Sequence, residues 1–213
     1  MSRSFTQVRE DGVRHLRRRC PVMRQVIKAV GPCKLALQRD RFGMLARSIL
    51  YQQISGHAAR AIHGRLLDAM PEGALTPDGL AKLPDEDYRA AGVSGQKTRY
   101  MRSLGELTLS GQVRLQRIGR LSDEEIIAEL TQVKGIGVWT AQMFLMFSLG
   151  RPDVLPWDDL GVRQGIQRMF GLEEAPGRDR CEELAEPWRP YATFASWYCW
   201  RVLEVENGGV FFK

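Results

Sequence analysis

The segment from Leu130 to Gly165 reads LTQVKGIGVWTAQMFLMFSLGRPDVLPWDDLGVRQG and carries the main evidence about the fold. It places a Gly-Ile-Gly turn between two helical patterns, and the acidic pair Asp158 and Asp159 follows after a proline-containing loop. Glycine permits positive φ and removes the Cβ that would block close approach. Because such a turn opens a helix, it can present main-chain amides to an anion. The segment therefore predicts a helical hairpin that holds a phosphate, with a carboxylate further along the chain.

Helical periodicity extends through most of the chain, whereas the alternation typical of strands is rare. Thr76-Pro77 and the capping box from Ser122 to Glu125 mark two helix starts. We predict an all-α fold of roughly eight to ten helices joined by short loops. The two helices of the hairpin are predicted over 122–132 and 138–149.

Composition sets wide limits on the class of protein. The 213 residues can bury a real core in one domain or two small lobes, and 44% hydrophobic content argues against disorder. The net charge of +6 favours a polyanionic partner. The four cysteines, at 20, 33, 181 and 199, are too dispersed to hold an iron–sulfur cluster. The start of the chain resembles no secretion signal, so we expect a cytoplasmic, nucleoid-associated protein without a membrane span.

Each of these features also has a plain structural interpretation. A lone Gly-x-Gly motif is common in ordinary turns between helices, and an aspartate before a helix is a good N-cap. The basic segments at 14–28 and 96–102 can be solvated helix faces. Taken singly, these patterns leave the function open.

Four motifs together resemble one family, and they span most of the chain from about residue 40 to 200: ILYQQIS (49–55), LTQVKGIGVWTAQM (130–143), DVLPWDDLGVR (153–163) and PWRPYATFASWY (187–198). In combination they are similar to the helix-hairpin-helix (HhH-GPD) superfamily of DNA glycosylases. Within it they most resemble the 3-methyladenine DNA glycosylase II family, the AlkA-like branch.

The resemblance implies a two-lobed helical fold without an extra N-terminal β-domain. The central lobe would comprise residues 36–160 and contain the helix-hairpin-helix at about 122–149. The second, discontinuous lobe would combine residues 1–35 with 161–213. A cleft between the lobes would hold Asp159.

The implied activity is that of a monofunctional glycosylase of base excision repair. Such an enzyme flips an alkylated base out of duplex DNA, because the target bond cannot be reached within the stack. It then hydrolyses the N-glycosidic bond and leaves an abasic site. The expected substrates are 3-methyladenine and 7-methylguanine, and a wider substrate range would include etheno-adenine. Asp159 matches the family's catalytic aspartate, which stabilises an oxocarbenium-like transition state, and we expect Asp158 to cap or support the helix start.

The base pocket would include Trp139, Trp197 and Met143. Family members that also cut the strand carry a lysine where this chain has Trp139, so lyase activity is expected to be absent. Trp197 matches the family's stacking tryptophan. Met143 lies where a pocket tyrosine is frequent in the family. It gives the pocket a flexible thioether and removes the hydrogen bond of a phenol.

Several residues are expected to contact DNA by resemblance. Gln53 lies where the family inserts a side chain into the gap left by the flipped nucleotide. The alternative is that Gln53 is an ordinary residue at the end of a helix. Lys134 replaces a frequent proline of the hairpin and adds a phosphate contact. The full set of expected DNA contacts is Gln53, Ser55, Lys134, Gly135, Gly137 and Thr140.

No cofactor is expected to be required, although the family hairpin can hold a structural monovalent cation. Its ligands here would be the main-chain carbonyls of Thr131, Val133 and Ile136. The expected partner is duplex DNA with alkylated bases, bound by a monomer.

Two other functions remain compatible with part of the pattern. A non-catalytic hairpin module would explain the glycine turn and the positive charge, but it leaves Asp159, Trp139 and Trp197 without a role. A glycosylase-lyase acting on oxidised bases would need an amine nucleophile, which Trp139 does not provide.

Overall fold

The computed structural model describes residues 3–71 and 73–205, and within these ranges it contains helices and no strand. The all-α prediction is confirmed, with more helices than expected. None of the described helices is long and apolar enough to cross a membrane. The α-helices are α1 (Phe5–Arg19), α2 (Pro21–Val30), α3 (Arg41–Tyr51), α4 (Gly56–Asp68), α5 (Pro77–Lys82), α6 (Asp85–Ala91), α7 (Gly95–Leu109), α8 (Asp123–Leu130), α9 (Val138–Phe144), α10 (Leu160–Phe170), α11 (Arg178–Ala185) and α12 (Ala192–Val202).

The chain divides into two compact units. The central unit is Gln38–Phe144, and the terminal unit combines Met1–Leu37 with Leu145–Lys213. The sequence placed the end of the central lobe at 160, but residues 145–160 belong to the terminal unit. The reason is visible at Thr193 of α12, whose main-chain amide donates to Pro152 O and whose hydroxyl accepts from Val154 N, both at 3.0 Å. Residues 1–2 and 206–213 of the predicted second lobe lie outside the described residues.

The helices of the central unit enclose an apolar core, and their starts follow local capping rules. Thr76 caps α5 by accepting from Gly79 N at 3.1 Å, and Ser122 with Glu125 forms the predicted capping box of α8. Each cap satisfies amides that a helix start leaves without an intrahelical acceptor. The largest buried side chains of this unit include Leu45, Ile49, Leu50, Leu66, Leu80, Tyr88, Met101, Leu104, Ile126, Leu130 and Phe144.

In the terminal unit, α10 and α12 pack with almost no space between their backbones. A Cβ added at Gly165 of α10 would lie 2.6 Å from the Cα of Cys199 in α12. Cys199 is fully buried, as the apolar pattern around it predicted, and burial raises the pKa of its thiol well above the ordinary value. This close approach fixes where α12 places its side chains relative to the start of α10.

The second helix of the hairpin is shorter than predicted. The prediction was one helix over 138–149, but α9 ends at Phe144 and the segment Leu145–Leu149 forms a π-helical turn. A π turn is one residue wider than an α turn. The apolar pattern of this segment is compatible with both, which is why the sequence did not separate them.

Candidate functional site

The two glycines of the hairpin turn, residues 131–137, have different roles. Gly135 has a φ of +85°, and a Cβ placed there would lie 2.6 Å from Cγ of the Tyr100 ring. Gly137 has no positive φ, and a Cβ there would meet nothing within 4 Å. Its carbonyl instead accepts from Ala141 N at 3.1 Å and so opens α9. The conformational freedom of glycine is therefore required at Gly135 and not at Gly137.

The surface that the hairpin offers to an anion is formed by the turn and the first residues of α9. Lys134 and Gly137 are exposed, and Trp139 is 46% exposed. The main-chain amide of Lys134 already donates to Ser103 Oγ at 3.3 Å, so its ammonium is the group left for a phosphate. Thr140, expected to contact DNA, is only 4% exposed, so its side chain does not belong to this surface.

The expected cation ligands lie on the same turn. Val133 O accepts from Ile136 N at 3.0 Å, which leaves one lone pair of that carbonyl for an ion. Carbonyl oxygens are among the ligands that hard cations take. The donor set fits a monovalent cation in kind, and its binding stays a prediction.

A short loop between α3 and α4, residues 52–55, carries two of the expected DNA contacts, and we call it the α3–α4 loop. Gln53 is exposed and has a φ of +55°, and Ser55 caps α4 by accepting from Ala58 N at 3.2 Å. The Nε2 of Gln52 donates to Gly135 O at 2.8 Å, which ties this loop to the hairpin turn. The Ser55 hydroxyl proton is still able to donate to a phosphate while its oxygen caps the helix.

One cavity of the central unit brings three of the expected residues together. It has a volume of about 680 Å³ and contains Trp139, Met143 and Gln53 in its wall. Its volume lies in the range of small-ligand sites, and its wall combines aromatic, thioether and amide groups. The sequence did not identify its remaining wall residues, which are Gln38, Met44, Arg47, Ser48, Tyr51 and Gln52.

In the terminal unit, Asp159 is the N-cap of α10. Its Oδ1 accepts from Val162 N and from the indole Nε1 of Trp200, both at 2.8 Å. Two donors on one oxygen fix the orientation of the carboxylate. Asp158 was expected to cap or support this helix start, and the capping part of that expectation is wrong: Asp158 is exposed and lies one residue before the cap.

Sequence reasoning missed Trp200 as a partner of the carboxylate. Its ring stacks on Phe147 with centroids 5.9 Å apart, and Gly161 makes room for it, since a Cβ there would lie 2.7 Å from Trp200 Cδ1. The sequence signal was the spacing of three residues from Trp197, which places both indoles near one face of α12.

Trp197, the expected stacking residue, is half-buried on α12. The guanidinium of Arg201 lies 5.8 Å from the centroid of its ring, and Tyr198 contacts it edge-on with centroids 5.0 Å apart. A cation near an indole is held by the ring quadrupole. Trp197 and Asp159 thus belong to the terminal unit, whereas Trp139, Met143 and Gln53 belong to the central unit.

Comparisons with known proteins agree on one family. The model of the HhH-GPD superfamily of base excision DNA repair proteins matches residues 46–190. DNA-3-methyladenine glycosylase 1 of Schizosaccharomyces pombe is 36% identical over 86% of this chain and 83% of its own length. The structure of that yeast glycosylase in complex with abasic DNA covers 92% of this chain and 98% of its own, with a TM-score of 0.82 and 33% identity. The crystal structure of DNA-3-methyladenine glycosidase from Bacillus halodurans covers 93% of both chains, with a TM-score of 0.85 and 34% identity.

Proposed function

The chain belongs to the HhH-GPD superfamily of base excision DNA repair proteins, and we propose that it acts as a DNA-3-methyladenine glycosylase. It binds duplex DNA, extrudes an alkylated base and hydrolyses the bond between that base and its deoxyribose. The relatives named as 3-methyladenine glycosylases support removal of an alkylated base. The arrangement of side chains in this chain supports the proposed mechanism of hydrolysis.

The observation that carries the proposal is the fixed carboxylate of Asp159. Departure of the base leaves oxocarbenium-like positive charge on the sugar, and a preoriented anion stabilises such charge without reorganising during the reaction. The indole of Trp200 and the amide of Val162 provide this preorientation. The same carboxylate can also accept a proton from the attacking water.

The cavity beside Trp139 supports binding of an alkylated base. A base methylated at N3 or N7 is cationic, and an aromatic face attracts a cation by about 0.5–2 kcal/mol. Stacking on neutral bases contributes about 1–3 kcal/mol and tolerates many shapes. The positive charge also weakens the glycosidic bond, so selectivity comes partly from the lesion itself. We therefore propose 3-methyladenine and 7-methylguanine as the main substrates, and etheno-adenine as an additional one.

The proposed enzyme is monofunctional. A glycosylase that also cleaves the strand needs an amine that attacks the sugar and forms a Schiff base. In this family the amine belongs to a lysine at the position that Trp139 occupies in this chain. Hydrolysis therefore leaves an intact abasic strand.

The narrower assignment to the type II, AlkA-like branch is part of the proposal, since the yeast relative is named glycosylase 1. The motif resemblance supports the branch. We further propose that the protein acts as a monomer on duplex DNA containing alkylated bases.

In the direct test, duplex DNA is first methylated with dimethyl sulfate and then incubated with the purified protein. Mass spectrometry identifies the released bases. We expect free 3-methyladenine and 7-methylguanine, and strands that break only after alkali treatment. Absence of any free base would reject the glycosylase assignment. Strand breaks before alkali, together with a borohydride-trapped covalent adduct, would instead establish a glycosylase-lyase.

A further inference from the structure

The backbone of the α3–α4 loop adopts a conformation that its sequence does not favour. Among the residues that the structure describes, Gln53 is the one non-glycine residue with positive φ, at +55°. Residues with a Cβ rarely adopt a positive φ, because the Cβ then lies too close to the backbone. Such a strained conformation persists only where contacts with the rest of the protein hold it. Another part of the molecule must therefore hold this loop in place.

Lys97 of α7 provides that restraint. Its Nζ donates to the carbonyl of Leu50 at 2.6 Å and to the carbonyl of Gln52 at 2.7 Å. The Gln52 carbonyl belongs to the peptide group that precedes Gln53, and the orientation of that plane sets φ of Gln53. One ammonium thus fixes the end of α3 and the peptide from which Gln53 projects.

The position of Lys97 is unfavourable by local rules. It lies in the first turn of α7, where the helix dipole disfavours a cation, and burial lowers the pKa of its amine. A residue that breaks local rules is expected where function requires it. The two carbonyls that it binds are the compensation, because they replace the water that burial removes.

The same helix also positions the hairpin turn. Tyr100, one turn after Lys97, fills the space beside Gly135, and Gln52 donates its side-chain amide to the carbonyl of Gly135. The face of α7 that carries Lys97 and Tyr100 therefore contacts both the loop and the turn. It sets how far Gln53 stands from the group proposed to bind phosphate.

We propose that Lys97 is a positioning residue for base extrusion: through the carbonyls of Leu50 and Gln52 it holds the backbone from which Gln53 enters the DNA stack. This inference rests on the proposed function. Lys97 itself touches neither the base nor the sugar. Its effect must therefore pass through Gln53.

The test compares Lys97→Met, Gln53→Ala and the double variant in single-turnover release of 7-methylguanine. The lesion is placed either opposite cytosine or in an unpaired bulge, where extrusion requires less energy. We expect each single variant to lose about 10-fold on the paired lesion, consistent with loss of charge-assisted hydrogen bonds, and less than about 3-fold in the bulge. The double variant should lose no more than either single variant, because residues that act through one another are not additive.

The controls separate positioning from a general loss of stability. Lys82→Met removes an exposed lysine of α5, which pairs with Asp78, and should leave both rates unchanged. Lys97→Arg keeps the charge and two donors and should recover most of the paired-lesion rate. Melting temperatures of all variants establish that each is folded at the assay temperature.

Two outcomes overturn the inference while leaving the glycosylase intact. One is a double variant whose loss is the product of the single losses, and the other is Lys97→Met losing equally on paired and bulged lesions. A wild-type protein that releases no base from either substrate overturns the proposed function and this inference together.

Discussion

Asp159 combines two roles on one oxygen atom. Its Oδ1 accepts from Val162 N as a helix cap and from Trp200 Nε1 across the helix packing. The sequence singles out this aspartate because the motif around it resembles the family, and its catalytic role stays a proposal. It could not predict Trp200, since this contact depends on how α10 and α12 pack. It also allowed Asp158 as the cap, because the register of a helix start shifts by one residue without changing its pattern.

The indole of Trp200 orients the Asp159 carboxylate by donating to its Oδ1. Trp200→Phe keeps an aromatic ring against Phe147 but removes the donor to Asp159 Oδ1. A hydrogen bond to a charged group contributes about 1.5–3 kcal/mol, so we expect kcat to fall about 10- to 100-fold with KM unchanged. Steady-state kinetics on a defined 7-methylguanine duplex measures both constants. A kcat within about twofold of wild type would show that the indole does not orient the carboxylate.

At the scale of elements, the hairpin turn depends on one glycine more than on the other. Its helices could be predicted from periodicity and from the capping box at Ser122 and Glu125, which the structure confirms. The sequence could not predict that a Cβ is excluded at Gly135 but tolerated at Gly137, because the ring that fills the space beside Gly135 belongs to Tyr100 of another helix. The π turn after α9 was hidden for a related reason, as its apolar residues suit either helix type.

This difference predicts unequal effects on stability. Gly135→Ala introduces a Cβ at positive φ and against Tyr100, and we expect it to lower the free energy of unfolding by about 2–4 kcal/mol. Gly137→Ala is the matched variant and should change that free energy by less than about 0.5 kcal/mol. Urea denaturation followed by circular dichroism gives both values. Equal losses in the two variants would contradict this turn geometry.

At the scale of the whole molecule, the net charge of +6 supports binding to the phosphate backbone without sequence selectivity. The all-α class and the family could be predicted from the sequence, because four motifs agree over most of the chain. The boundary between the two units was placed too late, since residues 145–160 are held by hydrogen bonds to α12. The burial of Thr140 was missed because nothing in its own motif shows which face of α9 is covered.

The electrostatic part of binding is tested by Lys134→Ala. Loss of one phosphate contact should weaken binding to all duplexes alike, and the slope of log affinity against log salt should become about one unit less steep. Fluorescence anisotropy with an abasic-site duplex at several salt concentrations measures this slope. Lys82→Ala serves as the control for loss of one exposed charge. A loss confined to particular sequences, or an unchanged slope, would remove Lys134 from the phosphate contact.

Asp159 is proposed to provide the negative charge on which hydrolysis depends, and the substitution Asp159→Asn removes that charge. Asparagine caps a helix as well as aspartate does, so the fold should persist while the negative charge is lost. We predict that single-turnover release of 7-methylguanine falls at least about 100-fold, as expected when a transition-state charge loses its counter-ion. Binding to an abasic-site duplex should persist, and Asp158→Asn should release base at the wild-type rate. Equal release by Asp159→Asn and wild type would show that this charge takes no part in catalysis.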